Sequence, residues 1–218
     1  MKILDVPQSG SVGGVTSSRN RYGQYRRTRA TPVNPASSFQ TAVRARMQQN
    51  ADGWKALTAV QREGWGALGA QMTRTDSMGQ TYDMTGFAAY CSVNNYRLAA
   101  GDTVSSDAIL YDPPAPLLTV TPTATIATLS VAYTTTPLAA TIRAFISASP
   151  MRSAGRFFES DYRLISVTAA AAASPSSIFT PYSARFGAPV VGSKIFVSVQ
   201  LYKAGLMSQP MTASLIVA

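Results

Sequence analysis

Arginine and tyrosine side chains near the N-terminus form the densest group of chemically capable residues in the sequence. Five arginines fall within eleven positions that contain no acidic residue, and two tyrosines are interleaved among them. These residues are Arg19, Arg21, Tyr22, Tyr25, Arg26, Arg27 and Arg29. Guanidinium groups pair with carboxylates or phosphates, and tyrosine rings stack on bases or fill interface pockets. The group therefore predicts a docking site for another macromolecule.

Three interpretations of this arginine-rich segment are open. It docks on an acidic protein surface, it contacts nucleic acid, or it is a basic tail that only solvent surrounds. Arginine and tyrosine are enriched at protein interfaces, which favours the first interpretation. No sequence motif for reading RNA or DNA supports the second.

The net charge of +9 is concentrated in the first third of the chain. Residues 1–75 carry eleven Lys or Arg against three acids, a net charge of +8. Residues 76–218 carry eight Lys or Arg against seven acids, a net charge of +1. An acidic partner would therefore be attracted to the N-terminal part of the molecule.

Side chains for catalysis or metal binding are scarce. The chain has no histidine, the residue most used as a general base and as a metal ligand. Its single cysteine, Cys91, has no partner for an intramolecular disulfide, and we expect it to be buried. Glu159 and Asp161 lie near Arg156 and Arg163, which favours an ion-paired loop over an acid/base pair. The sequence thus predicts no catalytic, cofactor or metal site, and a protein that is not an enzyme.

Helices are expected to follow the arginine-rich segment. Apolar residues at spacings of three and four predict a first helix over about 37–57. A capping box that begins at Thr58 predicts a second helix, and Thr85 and Gly101 are the expected N-cap and C-cap of a third. The aromatic residues expected to pack between these helices are Phe39, Trp54 and Trp65.

After residue 116 the apolar period changes from that of helices to that of strands. The alternation is clearest over 194–202, and six or seven short strands separated by turn signals follow the linker. This pattern is typical of an immunoglobulin-like or fibronectin-III-like sandwich. Seven aromatic residues fall within 133–186, and we expect most of them in the core: Tyr133, Phe145, Phe157, Phe158, Tyr162, Phe179 and Tyr182.

The predicted architecture is α+β with four parts. An extended basic arm occupies 1–35, a small helical domain of about three helices 36–101, and a proline-rich linker 102–116. An antiparallel immunoglobulin/fibronectin-III-like β-sandwich occupies 117–218. The sequence shows neither a signal peptide nor an apolar run of about 18 residues, so synthesis in the cytoplasm and no membrane partner are expected.

Motifs in the N-terminal region carry a resemblance to a known group of proteins. They are SRNRYGQ at 18–24, PVNP at 32–35, Gln40, Arg44, and WKALTAVQREGW at 54–65. Over about residues 8–72 the chain resembles a family of structural proteins encoded by tailed bacteriophages and prophages. The resemblance implies a virion or virion-assembly role and no catalytic residues.

On this basis we expect a structural virion protein that is made in the host cytoplasm and acts by protein–protein assembly. A capsid-associated minor, decoration or cementing protein is the leading hypothesis. Its partners would be other virion proteins, either capsid or connector subunits, and other copies of itself. Two alternatives stay open: a virion protein that binds nucleic acid through the arginine-rich arm, and a tail or surface module that binds through the sandwich.

Overall fold

The computed structural model describes residues 8–76, 78–134 and 138–218. The chain divides into two compact units, Met1–Val43 and Arg44–Ala218. The first helix, α1 (Ser38–Ala56), crosses that boundary. Both helices and antiparallel sheets are present, so the α+β class is confirmed.

The first unit contains a three-stranded antiparallel sheet. Its strands, in the order β1-β2-β3, are β1 (Gly10–Val12), β2 (Val15–Asn20) and β3 (Gly23–Thr28). Gly13 and Gly14 form the first turn, and Gly13 takes a φ of 56° that a side chain would oppose. Arg21 and Tyr22 form the second turn.

This sheet corrects the expected N-terminal arm. Residues 1–35 were expected to be extended or looped, with a short strand as an alternative over 24–29, whereas residues 10–28 form three paired strands. Two-residue turns reverse the chain, and Gly13 in the first turn and Gly23 directly after the second take positive φ values of 56° and 114°. The first seven residues of the predicted arm lie outside the described residues.

Of the four described helices, the first three agree closely with the sequence prediction. The four are α1, α2 (Ala59–Gln71), α3 (Gly86–Ala100) and α4 (Phe179–Phe186). The capping box at Thr58, the N-cap at Thr85 and the left-handed C-cap at Gly101 are all confirmed. A short hairpin of β4 (Thr73–Thr75) and β5 (Thr81–Asp83) connects α2 to α3.

The aromatic packing predicted for the helices is present for two of three residues. Trp65 is fully buried, and its ring lies 5.2 Å from that of Tyr90. Trp54 contacts Phe87 and Tyr90 with ring centroids 5.6 and 5.5 Å apart. Phe39 is 64% exposed, so its predicted place in the core is wrong. The apolar period of α1 identified one face of the helix correctly, but it could not show where along that face the packing begins.

Two antiparallel sheets make up the C-terminal half. The strands of the first, in the order β10-β7-β6, are β6 (Val120–Ala124), β7 (Leu129–Tyr133) and β10 (Ser176–Ser177). The second has the order β12-β11-β8-β9, with β13 also paired to β11. Its strands are β8 (Arg143–Ala148), β9 (Arg163–Val167), β11 (Lys194–Lys203), β12 (Leu206–Met207) and β13 (Met211–Ile216).

One hydrophobic core lies between these two sheets. It contains Leu129 and Val131 from the first sheet and Ile146, Val197 and Val199 from the second, all with 0% exposure. The alternation predicted over 194–202 is confirmed, because every second side chain of β11 enters this core.

The fourth helix was not predicted, so the expected count of about three helices is too low. α4 is eight residues long and contains a proline, which leaves it without a sustained helical period. Its Tyr182 is fully buried and donates a hydrogen bond to the Ser149 carbonyl at 3.1 Å. The alanine run 169–173, for which a helical turn and a flat strand edge were both open, contains a turn at 170–171 in which Ala171 has a φ of 57°.

The helices of the second unit pack against the second sheet through the β11–β12 turn. Gly205 in this turn has a φ of 105°, and a Cβ built there would lie 2.5 Å from Val93 Cγ1 on α3. Asp102 pairs with Arg143 at 3.0 Å and accepts a hydrogen bond from the Tyr202 hydroxyl at 2.5 Å. Burial and this hydrogen bond raise the pKa of Tyr202 well above its usual value.

Candidate docking surface

The seven residues predicted to dock a partner all lie on or beside the β2–β3 hairpin. Arg19 belongs to β2, and Tyr25, Arg26 and Arg27 belong to β3. Arg21 and Tyr22 form the turn between them, and Arg29 follows β3. The sequence prediction therefore identified one continuous structural element.

Strand pairing places Arg19 and Arg26 on the same face of this sheet. Arg19 stands opposite Gln24, and Arg26 stands opposite Ser17, so the two arginines are diagonal neighbours. The Arg26 guanidinium donates to Gln8 Oε1 at 2.6 Å, and Gln24 Nε2 donates to the Gln8 carbonyl at 3.1 Å. We call this side the Gln8 face.

A shallow hollow of about 250 Å³ lies on the Gln8 face. Val12 and Val15 line it together with Gln8, Ser17 and Arg26. Val12 is 86% exposed, so an apolar group lies open beside a guanidinium. Sequence reasoning missed these valines, although two valines that flank Gly13-Gly14 are a hairpin signal.

The opposite face of the sheet carries Tyr25 and Arg27. They stand opposite Ser18 and Thr16, whose side chains are short and polar. Because the side chains beside them are short, the Tyr25 ring and the Arg27 guanidinium can both contact one flat surface of a partner. We call this side the Tyr25 face.

The remaining predicted residues lie at the two ends of the hairpin. At the tip, Tyr22 is 82% exposed, and its backbone N–H donates to Asn20 Oδ1 at 2.9 Å. Arg29 lies at the far end, where its N–H donates to the Gly14 carbonyl at 2.8 Å. A six-residue strand spans roughly 20 Å, so Arg21 and Arg29 cannot contact the same small ligand.

Four of the five arginines of this hairpin carry charges that no described acid pairs with. Arg19, Arg21, Arg27 and Arg29 form no ion pair with a described residue. Arginines on the outer strand β3 also oppose pairing with a second copy of the same strand, because like charges would meet. The surface is therefore suited to an acidic partner.

The sheet has no hydrophobic core of its own. None of the described residues from 8 to 43 is buried, and both faces of the sheet are mainly polar. Three strands need an apolar face or a packing partner for independent stability. A macromolecule that covers either face would supply the missing contacts.

Other chemistry is limited in the part of the chain that the structure describes. No group of three or more Cys, Asp or Glu side chains there is arranged to hold a metal ion. Cys91 is buried as predicted, and burial raises the pKa of its thiol. Glu159 and Asp161 form ion pairs with Arg152, Arg156 and Arg163, which confirms the predicted ion-paired loop.

The comparisons with known proteins add no relative. No protein-family model matches the sequence, and no curated protein matches it. Among the described helices, none is both long enough and apolar enough to cross a membrane. The assignment of function therefore depends on the residues and their geometry.

Proposed function

We propose that this chain is a structural virion protein of a tailed bacteriophage, associated with the capsid as a minor, decoration or cementing protein. It acts by protein–protein assembly rather than by catalysis. The observation that carries the proposal is the basic hairpin, which is folded yet has no buried residue, and in which Arg19, Arg21, Arg27 and Arg29 form no ion pair with a described residue. Such a surface gains both burial and charge pairing when a partner covers it.

The motifs over residues 8–72 also support this proposal. The basic hairpin includes the SRNRYGQ motif of the resemblance, at residues 18–24. The helical motif WKALTAVQREGW includes the capping box at Thr58 and the buried Trp65. The capping residue and the buried tryptophan of this helical motif thus have structural roles, which is consistent with a family of proteins that assemble rather than catalyse.

The strand order supports an immunoglobulin/fibronectin-III-like module as the second part of the proposal. In such sandwiches the first, second and fifth strands share one sheet, and the third, sixth and seventh share the other. When the strands are counted from β6 and the two-residue β12 is omitted, β6, β7 and β10 are the first, second and fifth strands and share one sheet. The third, sixth and seventh strands, β8, β11 and β13, share the other, as this rule requires. The fourth strand, β9, pairs with β8, whereas the constant-type immunoglobulin order places it in the first sheet. The module is a stable scaffold that can hold a docking element at a fixed place in a particle.

Nucleic-acid binding is the second candidate function, and the Tyr25 face supports it. A tyrosine ring beside Arg27 offers stacking and phosphate pairing on one side of the sheet. This alternative makes a different prediction, since affinity for DNA would fall steeply with salt concentration. If the full chain bound single-stranded and duplex DNA in a salt-dependent way, the function of the hairpin would be nucleic-acid binding rather than protein docking.

The test is incorporation into phage particles, measured by quantitative mass spectrometry of purified virions. The variant Arg19→Glu/Arg27→Glu reverses one charge on each face, and Arg46→Glu/Lys55→Glu makes the same charge change on α1. In the hairpin variant each substituted arginine loses a charge-assisted hydrogen bond to the partner protein, worth about 1.5 kcal/mol. The loss of two such bonds weakens binding to the partner roughly a hundredfold. We expect the hairpin variant to be depleted from particles and the α1 variant to be retained.

Four results would contradict the proposal. The first is absence of the unaltered chain from purified particles. The second is equal incorporation of both charge variants, and the third is full incorporation of a chain that lacks residues 1–35. Turnover of a substrate by the purified chain would also remove the structural assignment.

A further inference from the structure

A second exposed surface lies on the loop between β8 and β9. Phe157 is 92% exposed and Phe158 is 75% exposed, although most aromatic residues of this region were expected in the core. By contrast, Tyr133, Phe145 and Tyr182 are buried as predicted. We call residues 152–162 the aromatic loop. Two adjacent exposed phenylalanines on an otherwise well-packed module indicate a contact surface.

The aromatic loop is held in one shape by the carboxylate of Glu159. This carboxylate is buried and accepts hydrogen bonds from Arg152 Nε at 2.5 Å and from the backbone N–H groups of Ser160 and Asp161 at 2.9 and 3.0 Å. The Asp161 N–H and the Arg152 guanidinium are the main groups that lower the pKa of Glu159 to about 2. The loop is therefore fixed by a charge that stays ionised at neutral pH.

The backbone around the two phenylalanines is also tied down. Arg156 Nε donates to the Phe158 carbonyl at 2.7 Å, and Arg152 exchanges backbone hydrogen bonds with Lys194 at 2.9 and 2.8 Å. A loop that is already ordered loses little conformational entropy when a partner binds. Phe157 and Phe158 are thus presented on a rigid frame.

A hollow of about 350 Å³ lies between the aromatic loop and the outer face of the second sheet. Its walls are aromatic, and its floor is formed by three small residues of β13. The lining residues are Phe157, Phe158, Tyr162 and Phe196 in the walls, with Thr212, Ala213 and Ser214 in the floor, and Glu159, whose carboxylate is paired with Arg152 and Arg156. A space of this size admits a side chain or two of a partner rather than a flat surface alone.

The charged groups beside this hollow are net positive, because Arg152, Arg156, Arg163 and Lys194 outnumber Glu159 and Asp161. Lys194 Nζ lies 5.5 Å from the Phe157 ring centroid and 5.3 Å from that of Phe196. Lys194 forms no ion pair with a described residue. The nearby acids Glu159 and Asp161 are already paired with arginines. A second copy of this surface would bring the same positive charges face to face, so charge complementarity points to an acidic partner.

We propose that the aromatic loop and its hollow form a docking site for an acidic segment of a different protein, with a large apolar side chain inserted between the phenylalanines. A carboxylate beside that side chain would pair with Lys194. The site is separate from the basic hairpin, and it does not rest on the proposal that the chain is a virion protein.

The test uses the full chain and a library of random peptides displayed on an unrelated carrier. Selection on the unaltered chain, with counter-selection on Phe157→Ser/Phe158→Ser, isolates peptides that need the aromatic loop. We expect these peptides to carry a Phe, Trp or Leu flanked by Asp or Glu. The substituted residues are exposed, so the variant is expected to keep the fold, which circular dichroism verifies.

The affinities of synthetic copies of the selected peptides for each variant then measure how much the two phenylalanines and Lys194 contribute to binding. We expect Phe157→Ser/Phe158→Ser to weaken binding at least tenfold and Lys194→Gln to weaken it about threefold to tenfold. The matched control is Val190→Ser/Val191→Ser, which removes another exposed apolar pair and should leave affinity unchanged.

Three outcomes would overturn the proposal. One is failure to enrich any peptide on the unaltered chain over the phenylalanine variant. Another is enrichment of peptides without acidic residues. The third is concentration-dependent dimerisation of the chain that Phe157→Ser/Phe158→Ser abolishes, since a second copy would then be the partner.

Discussion

The contact between the β11–β12 turn and α3 can be tested with a single added methyl group. In Gly205→Ala the new Cβ would lie 2.5 Å from Val93 Cγ1 and 3.1 Å from the Val93 carbonyl oxygen. The backbone cannot relieve this overlap easily, because Gly205 has a φ of 105° and its neighbour Leu206 is buried in the helical core. The substitution therefore combines backbone strain with overpacking.

The expected loss of stability follows from these two contributions. A side chain at a strained positive φ costs on the order of 1–3 kcal/mol. Overpacking of a filled core costs a further 1–3 kcal/mol, roughly. We expect Gly205→Ala to lower the free energy of unfolding by about 2–6 kcal/mol in total. For a chain of this size each kcal/mol lowers Tm by roughly 2–4 °C.

Gly192→Ala is the matched control, because Gly192 has a φ of 77° with nothing within 4 Å of its ideal Cβ. The Gly192→Ala variant has the backbone strain without the atomic overlap. Its free energy of unfolding should therefore fall by about 1–3 kcal/mol less than that of Gly205→Ala. Urea titrations followed by circular dichroism give both values. In the double variant with Val93→Ala, the Gly205→Ala penalty should shrink, because the Cγ1 atom is gone. Equal losses in the two glycine variants would refute the packing of α3 on this turn.

Two further predictions concern the C-terminal half. The pKa of Glu159 is lowered from 4.5 to about 2, so its ionised carboxylate should stabilise the fold above pH 4.5 and lose this effect as the pH falls towards 2. Between pH 4.5 and pH 2 we therefore expect the urea midpoint to fall less in Glu159→Gln than in the exposed control Glu63→Gln. Ile146→Ala removes a fully buried side chain and should cost about 2–5 kcal/mol in urea titrations. Ile126→Ala, at a position 60% exposed, should cost below about 0.5 kcal/mol, and similar losses in both variants would contradict the assigned core.

The first three helices and the longest strand, β11, could be predicted because local sequence signals agree with the final packing. Thr58 and Gln61 form their capping box within four residues, and Gly101 ends α3 by its own backbone conformation. Likewise, every second residue of β11 from Ile195 to Leu201 is aliphatic because these side chains fill the core between the sheets. Each signal operates over a few residues, so a single sequence reveals it.

The remaining features depend on contacts that the sequence does not specify locally. The basic hairpin has polar residues on both faces, so no period of two marked its strands. The exposure of Phe157 follows from a loop shape that Glu159 sets through hydrogen bonds to Arg152 and to the backbone. The seven docking residues were found by charge and composition, but their division between two faces required the strand register.

The buried state of Cys91 has a practical consequence for labelling this protein. A shielded thiol with a raised pKa reacts slowly with maleimides and iodoacetamides. A cysteine placed at Arg27 or at Phe157 would then be the chain's only rapidly labelled sulfur. A fluorophore or a photocrosslinker could thus be attached to either exposed surface without first removing the native cysteine.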